Sequence, residues 1–369
     1  MPYRFLLLLL IALVAAPEVG LGSAAAPAVG PQAPPSQVPG SQVPGSRLPG
    51  APGAVDNGAR LFPRSATVPL REAQHGGLGL WRAPGQAPVA AWERKVRARY
   101  AILVDPQTGA VLWGRRSRTP APPASLTKML TALAVRASLD LDTVTVASRK
   151  AAAQPARRLA MKRGQKLTVE QALKALMISS ANDVAVMLAE AAGGSVARFS
   201  RAMGAESARL GLRASSWRNP HGLDAPGHRS TAFDLAILAR AVLQDPWLAK
   251  VVRKRHAAFV TPSGRRHSLT ARSRFLLGYR GAVGVKTGFT DDAGHCLAAA
   301  ATRGGRTLIA VVLHSPDNAA DAGKLLDWGF GRGRSARTGL WLPDPVRPAS
   351  VATLLAPAPR PVERHRPAA

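Results

Sequence analysis

The chain has 369 residues, 46% of them hydrophobic and a single one cysteine, so it can bury a sizeable core but cannot close an internal disulfide. Its 50 Lys and Arg against 21 Asp and Glu leave a formal charge of +29, yet no zinc-finger spacing, basic-aromatic sheet signature or heptad zipper accompanies them, which argues against nucleic acid as partner. For an exported chain the remaining counter-charges are anionic wall polymers, lipid headgroups and carboxylate-bearing peptides, and an arginine-rich coding bias explains part of the excess equally well.

Residues 1–25 read as an export signal: Arg4 supplies a minimal positive region, Phe5 to Ala16 an apolar stretch, and Ser23, Ala24 and Ala25 suit cleavage. The apolar stretch is short for a membrane span, and Pro17 and Glu18 interrupt it. An uncleaved N-terminal anchor is the alternative. Residues 26–96 are rich in Pro, Gly, Ala and Ser and carry the tandem pentads 36–40, 41–45 and 46–50, each ending Pro-Gly. So few large apolar residues cannot pay for ordering, and the segment is expected to be a disordered spacer.

Patterning begins near Tyr100 and defines a folded domain over 97–331. Ala101 to Val104 is a predicted strand, Asp105 to Gly109 a turn, and Ala110 to Trp113 the returning strand. Pro120, Pro122 and Pro123 break the chain just before Ser125, where a helical pattern begins. Thr168 and Gln171 announce a second helix as a capping-box pair. Further helices are expected over Val184 to Ala192, Val196 to Leu210 and Leu235 to Leu243, the last stopping at Asp245-Pro246. Val283 to Gly288, Cys296 to Thr302 and Leu308 to His314 are strand-like, the last two joined at Gly304-Gly305, and Asp317 to Trp328 closes the pattern as a helix. Residues 332–369, rich in Arg and Pro, are expected to be a disordered tail. Cys296 sits in an apolar run, so burial rather than nucleophilic chemistry is expected of it.

Three short motifs carry chemistry. In Ser125-Leu126-Thr127-Lys128, positions i and i+3 share a helix face, so the amine of Lys128 can reach the Ser125 hydroxyl. A serine needs a base beside it, and a lysine serves only if burial or a second cation lowers its pKa. Ser180-Ala181-Asn182 lies between two predicted helices and offers a hydroxyl and a carboxamide. Lys286-Thr287-Gly288 lies on a strand and offers the second cation, another hydroxyl, and a glycine beside which a peptide backbone can lie close. Alone, each is an ordinary helix cap or strand end. Their order and settings together point to a serine acyltransferase.

Together with Leu103-Val104-Asp105, Asn219-Pro220-His221-Gly222-Leu223-Asp224, His228 to Asp234, Gly284 to Thr290 and Leu325 to Phe330, these motifs resemble the serine-type D-alanyl-D-alanine carboxypeptidases, the low-molecular-mass penicillin-binding proteins. The resemblance implies an α+β fold of the β-lactamase/transpeptidase type, with a five-stranded antiparallel sheet flanked by helices and an all-helical subdomain. It implies Ser125 as nucleophile, Lys128 as base and Ser180 as proton relay. Asn182, Lys286, Thr287 and Gly288 would bind substrate, and the backbone N–H groups of Ser125 and Phe289 would form the oxyanion hole. No cofactor or metal is implied. The implied partners are peptidoglycan stem peptides, with β-lactams as inhibitors, at the cell envelope. His221 and His228 are expected to have structural duties.

The chain departs from the family pattern at Ala181, where glycine is common, at His295, where an aromatic is common, and between Leu269 and Leu277. Neither a C-terminal β domain nor an amphipathic anchor is expected after Phe330. A serine β-lactamase is one alternative, disfavoured because only Glu190 and Glu206 lie between Asn182 and Lys286, both on predicted helices. A catalytically inactive envelope-binding protein of the same fold is the other.

Overall fold

The computed structural model describes residues 91–155, 157–331 and 338–356. The expected signal segment and most of the expected spacer lie outside the described residues.

Two chain segments build one sheet. Strands β1 (Tyr100–Val104) and β2 (Val111–Arg115) form a hairpin. Its turn is tied by Asp105, whose Oδ1 accepts from the N–H groups of Gln107 at 3.1 Å and Thr108 at 3.3 Å. Between this hairpin and the rest of the sheet run β3 (Val144–Val146) with β4 (Lys166–Thr168), and β5 (His256–Val260) with β6 (Arg266–Thr270), two small antiparallel pairs. Strands β7 (Ala282–Thr290), β8 (Gly294–Arg303) and β9 (Arg306–Ser315) then form a meander. The β8–β9 turn is the two-residue Gly304-Gly305, with φ of 53° and 73°, the left-handed pair that matches strand twist. The order is β2-β1-β9-β8-β7, antiparallel throughout, so β7 is an outer strand.

Alternation along the strands feeds two cores. Ile102, Val104, Ala298, Ala300, Ile309 and Val311 face the larger, shared with α2 (Lys128–Arg136), α5 (Asn182–Gly193) and α7 (Ala232–Gln244). Leu103, Leu297, Ala299 and Val312 face the smaller, closed by Leu325 and Leu326 of α10 (Asn318–Phe330). The remaining helices are α1 (Ala91–Arg94), α3 (Arg149–Ala152), α4 (Val169–Lys174), α6 (Val196–Arg209), α8 (Pro246–Val252), α9 (Arg274–Gly278) and α11 (Val351–Leu355). Helix α4 begins with the expected reciprocal box between Thr168 and Gln171.

Both ends of the expected domain need correction. Order begins by Ala91 rather than at 97: Trp92 stacks on Trp328 with centroids 4.5 Å apart, Val96 is buried, and Arg115 donates to the Glu93 carbonyl at 2.7 Å. One aromatic anchor in a polar context is enough to dock the segment, and composition averages over it. The expected disordered tail is also ordered over 338–356. Thr338, Leu340 and Leu342 bond along the outer side of β2 through Val111 and Gly109. Farther on, the Arg347 carbonyl accepts from Arg209, Ala349 N–H donates to Glu206 at 3.3 Å, and Val351 N–H donates to Ser138 Oγ at 2.8 Å. Leu342 and Val351 are buried.

Candidate active site

Ser125 does not open an α-helix. It sits in a 3₁₀ turn, Ala124–Thr127, that leads into α2 at Lys128. The tighter turn still sets residues three apart nearly above one another, and Lys128 Nζ lies 3.0 Å from Ser125 Oγ. Two further oxygens reach the same nitrogen, Asn182 Oδ1 at 2.8 Å and the His221 carbonyl at 2.6 Å. A neutral amine has two N–H donors and one lone pair. The carboxamide and the carbonyl take the two donors, leaving the lone pair for the serine proton.

Electrostatics favour that neutral form. Lys128 is fully buried, and its pKa lies well below 10.5 because burial penalises the ammonium and Lys286 and Arg157 add like charge. Burial, with Arg157 again, brings Lys286 down to about 7. Lys286 Nζ donates to Ser180 Oγ at 2.9 Å and to the Thr287 carbonyl at 3.0 Å. Ser180 holds a left-handed backbone, φ 61° and ψ 35°, after a π-helical turn at Ala175–Ser179. Non-glycine residues in that region cost about 1–3 kcal/mol and cluster where geometry serves function.

The expected residues therefore fall into two hydrogen-bonded groups, Ser125 with Lys128 and Asn182, and Ser180 with Lys286. Thr287 is half-buried on β7 and Phe289 is 39% exposed, its ring 4.7 Å from that of His295. Gly288 also serves the packing of the site itself. A Cβ there would lie 2.9 Å from Ala124 Cβ and 3.0 Å from Ser125 N, so its bareness lets β7 close on the nucleophile's turn.

Several supporting residues escaped the sequence reading. At Gly222, φ +85°, a Cβ would stand 1.9 Å from the Ala124 carbonyl oxygen, so the 219–224 loop can approach the turn only through glycine. Asn219 shapes that loop by accepting from Gly222 N–H at 2.7 Å and donating to the Leu223 carbonyl at 2.8 Å. Thr290 ties it to β7 by donating to Asp224 at 2.7 Å. The buried carboxylate of Asp183 accepts from the N–H groups of Leu159 at 2.9 Å and Met161 at 3.0 Å, fixing the 157–161 segment against the start of α5. Asp183, adjacent to Asn182 in a helix's first turn, was the one with a readable signal.

The two histidines are neutral scaffolding. His228 Nδ1 accepts from Arg218 N–H at 2.9 Å, so Nε2 carries the proton and donates to Thr127 Oγ1 at 2.9 Å. Thr127 passes the bond on to the Ala124 carbonyl at 2.9 Å. Burial lowers the pKa of His228 to about 4 and that of His221 to about 3. Cys296 is buried, which pushes its thiol up to about 12: an inert packing group. Among the described residues no cluster of His, Cys, Asp and Glu is arranged to hold a metal ion.

Comparison with known proteins now decides the lineage. The profile of the D-alanyl-D-alanine carboxypeptidase family, Peptidase_S11, matches residues 86–317. The chain belongs to this family. Among curated members, the D-alanyl-D-alanine carboxypeptidase DacF of Bacillus subtilis is 33% identical over 241 residues, 63% of this chain and 62% of that protein. DacB2 of Mycobacterium tuberculosis is 34% identical over 246 residues, 64% of this chain and 84% of the relative. The chain thus spans less than two thirds of the first relative's length. Among solved structures, a D-alanyl-D-alanine carboxypeptidase of Mycobacterium tuberculosis H37Rv superposes with a TM-score of 0.64 at 31% identity, covering 70% of this chain and 98% of that one. The carboxypeptidase family's core therefore coincides with the sheet and helices described above.

Proposed function

We propose that this domain is a serine D,D-carboxypeptidase that removes the terminal D-alanine from peptidoglycan stems through an acyl-enzyme on Ser125. The observation that carries the reading is Lys128 Nζ, buried, 3.0 Å from Ser125 Oγ and engaged by two other oxygens. Lys128 takes the serine proton as Oγ attacks the carbonyl of the D-Ala-D-Ala bond. The N–H groups of Ser125 and Phe289 receive the oxyanion. Lys286 and Thr287 hold the terminal carboxylate, and Asn182 holds the acyl-side peptide. As the tetrahedral intermediate collapses, Ser180, backed by Lys286 at 2.9 Å, gives its proton to the departing amine and takes in its place the proton held by Lys128, which is thereby neutral again. Water, activated by Lys128, then releases the shortened stem. β-Lactams acylate the same oxygen.

The geometry of the two glutamates supports this over the β-lactamase reading. Glu206 is fully buried and paired with Arg209 at 2.7 Å, and Glu190 lies eight residues along α5 from Asn182, about 12 Å up the helix. Neither is placed to activate a deacylating water. Export to the cell envelope, with or without retention of the N-terminal segment, and adhesion to anionic wall polymers through the positive charge complete the proposal.

Mass analysis of a pentapeptide muropeptide tests it. Incubation with the protein should shorten the stem by one D-alanine, and Ser125→Ala should leave it intact. Unchanged stems with the wild-type protein would favour the inactive envelope-binding alternative; rapid, repeated nitrocefin turnover in place of one stoichiometric burst would favour the lactamase.

A further inference from the structure

Arg149, Lys150, Arg157, Arg158, Lys162, Arg163 and Lys166 follow one another from the end of β3 to the first residue of β4 without a single Asp or Glu among them. All are exposed. None takes part in an ion pair among the described residues. Unpaired like charges repel, so so dense a run needs an anion from outside the segment to become favourable.

The position of the run decides which anion. Asn182 N–H donates to the Arg157 carbonyl at 2.7 Å, and Asp183 holds Leu159 and Met161 immediately beyond. Arg157 is thereby fixed, with a left-handed φ of 65°, to the residue whose carboxamide touches Lys128. Its charge is felt by both buried lysines. The terminal carboxylate of the substrate has its own donors on β7, at Lys286 and Thr287. Asn182, in the proposed mechanism, instead holds the acyl-side peptide.

We infer that Arg157, reinforced by the exposed cations beside it, is a specificity-determining residue that binds a free carboxylate on the acyl-side portion of the substrate. Peptides carrying an acidic group upstream of the scissile bond are then better substrates than the same peptides with that group amidated. This rests on the D,D-carboxypeptidase reading, and the amidated peptide separates the two: its turnover tests the reaction, while the acid-to-amide ratio tests Arg157.

The experiment compares kcat/KM for a synthetic peptide ending in D-Ala-D-Ala whose upstream side chain is a free acid, and for its amide, at low and at 0.5 M salt (about a 4 Å screening length). An exposed guanidinium–carboxylate contact gives the acid an advantage of about three- to tenfold, mainly through KM, which shrinks at high salt. Arg157→Gln should bring the ratio near one, and Arg157→Lys should restore part of it. A wild-type ratio near one, or an unaltered ratio in Arg157→Gln, would overturn the inference. So would an equal fall for acid and amide, which would assign Arg157 to the terminal carboxylate both share. Equal inhibition of both by inorganic polyphosphate with a ratio of one would likewise replace it with polymer docking.

Discussion

An ammonium group stripped of water is costly, and two are candidates for that cost in one cleft, at Lys128 and Lys286. The two tasks need opposite protonation states. Lys128 must be neutral to accept the Ser125 proton, so kcat/KM should climb with pH along the acid limb. Lys286 must be charged to hold a carboxylate, so kcat/KM should fall as pH rises through about 7. A pH–rate profile without a descending limb would remove Lys286 from carboxylate binding; the two apparent values belong to the coupled pair. Stability moves the other way. In the unfolded chain Lys286 regains its ordinary value of 10.5, so between about 7 and 10.5 the unfolded state binds more protons and Lys286's contribution to stability increases with pH. Lys286→Met should therefore flatten that dependence and raise the melting temperature at pH 6. The same change should cost about 10²–10⁴ in kcat/KM, read by D-alanine release. At this scale the sequence was readable wherever side chains act at fixed spacing, as in Ser125 and Lys128. The His221 carbonyl on Lys128 was not, because a backbone acceptor leaves no residue signature.

The 3₁₀ turn at Ala124–Thr127 is held on two sides by glycine, Gly288 from β7 and Gly222 from the 219–224 loop. Gly222 and Gly264 share a left-handed φ, +85° and +80°, but Gly264 has nothing within 4 Å of its would-be Cβ. Comparing Gly222→Ala with Gly264→Ala separates backbone strain from collision. Gly264→Ala should cost about 1–2 kcal/mol in thermal or urea unfolding, from strain alone. Gly222→Ala should cost about 2–5 kcal/mol and slow acylation by a β-lactam, because the Ala124 carbonyl must move and carry Ser125 with it. Equal costs would mean that the close approach is not structural. Long helices and the central strands were legible because their apolar periods are sustained. The β3–β4 and β5–β6 pairs, α8 and α9 were not: three to seven residues hold too few periods, and β6 shows only His267 and Leu269 buried among exposed polar neighbours.

Across the whole molecule, residues 338–356 run from the outer side of β2 to the helical region, where α11 packs on α6 and α5. Deleting residues 338–369 should lower the melting temperature by several degrees, since the buried side chains of Leu342 and Val351 are removed from the core they help to cover and the buried Glu206 carboxylate loses the Ala349 N–H. The site residues, all between Ser125 and Phe289, keep their own supports, so kcat/KM should change less than about threefold. An unchanged melting temperature would make this strap incidental. The tail's Pro and Arg content concealed it, because two buried apolar residues and a few backbone bonds suffice where a folded surface already waits.

In the proposed mechanism Ser125 becomes the acyl-enzyme with Lys128 as its base. The most direct measurement is intact-protein mass after brief exposure to benzylpenicillin, followed by peptide mapping. The wild-type protein should gain one penicilloyl group, mapped to Ser125; Ser125→Ala should gain none, and Lys128→Ala should acylate at least about 10³-fold more slowly. A penicilloyl group on any other residue, or undiminished acylation of Ser125→Ala, would contradict it.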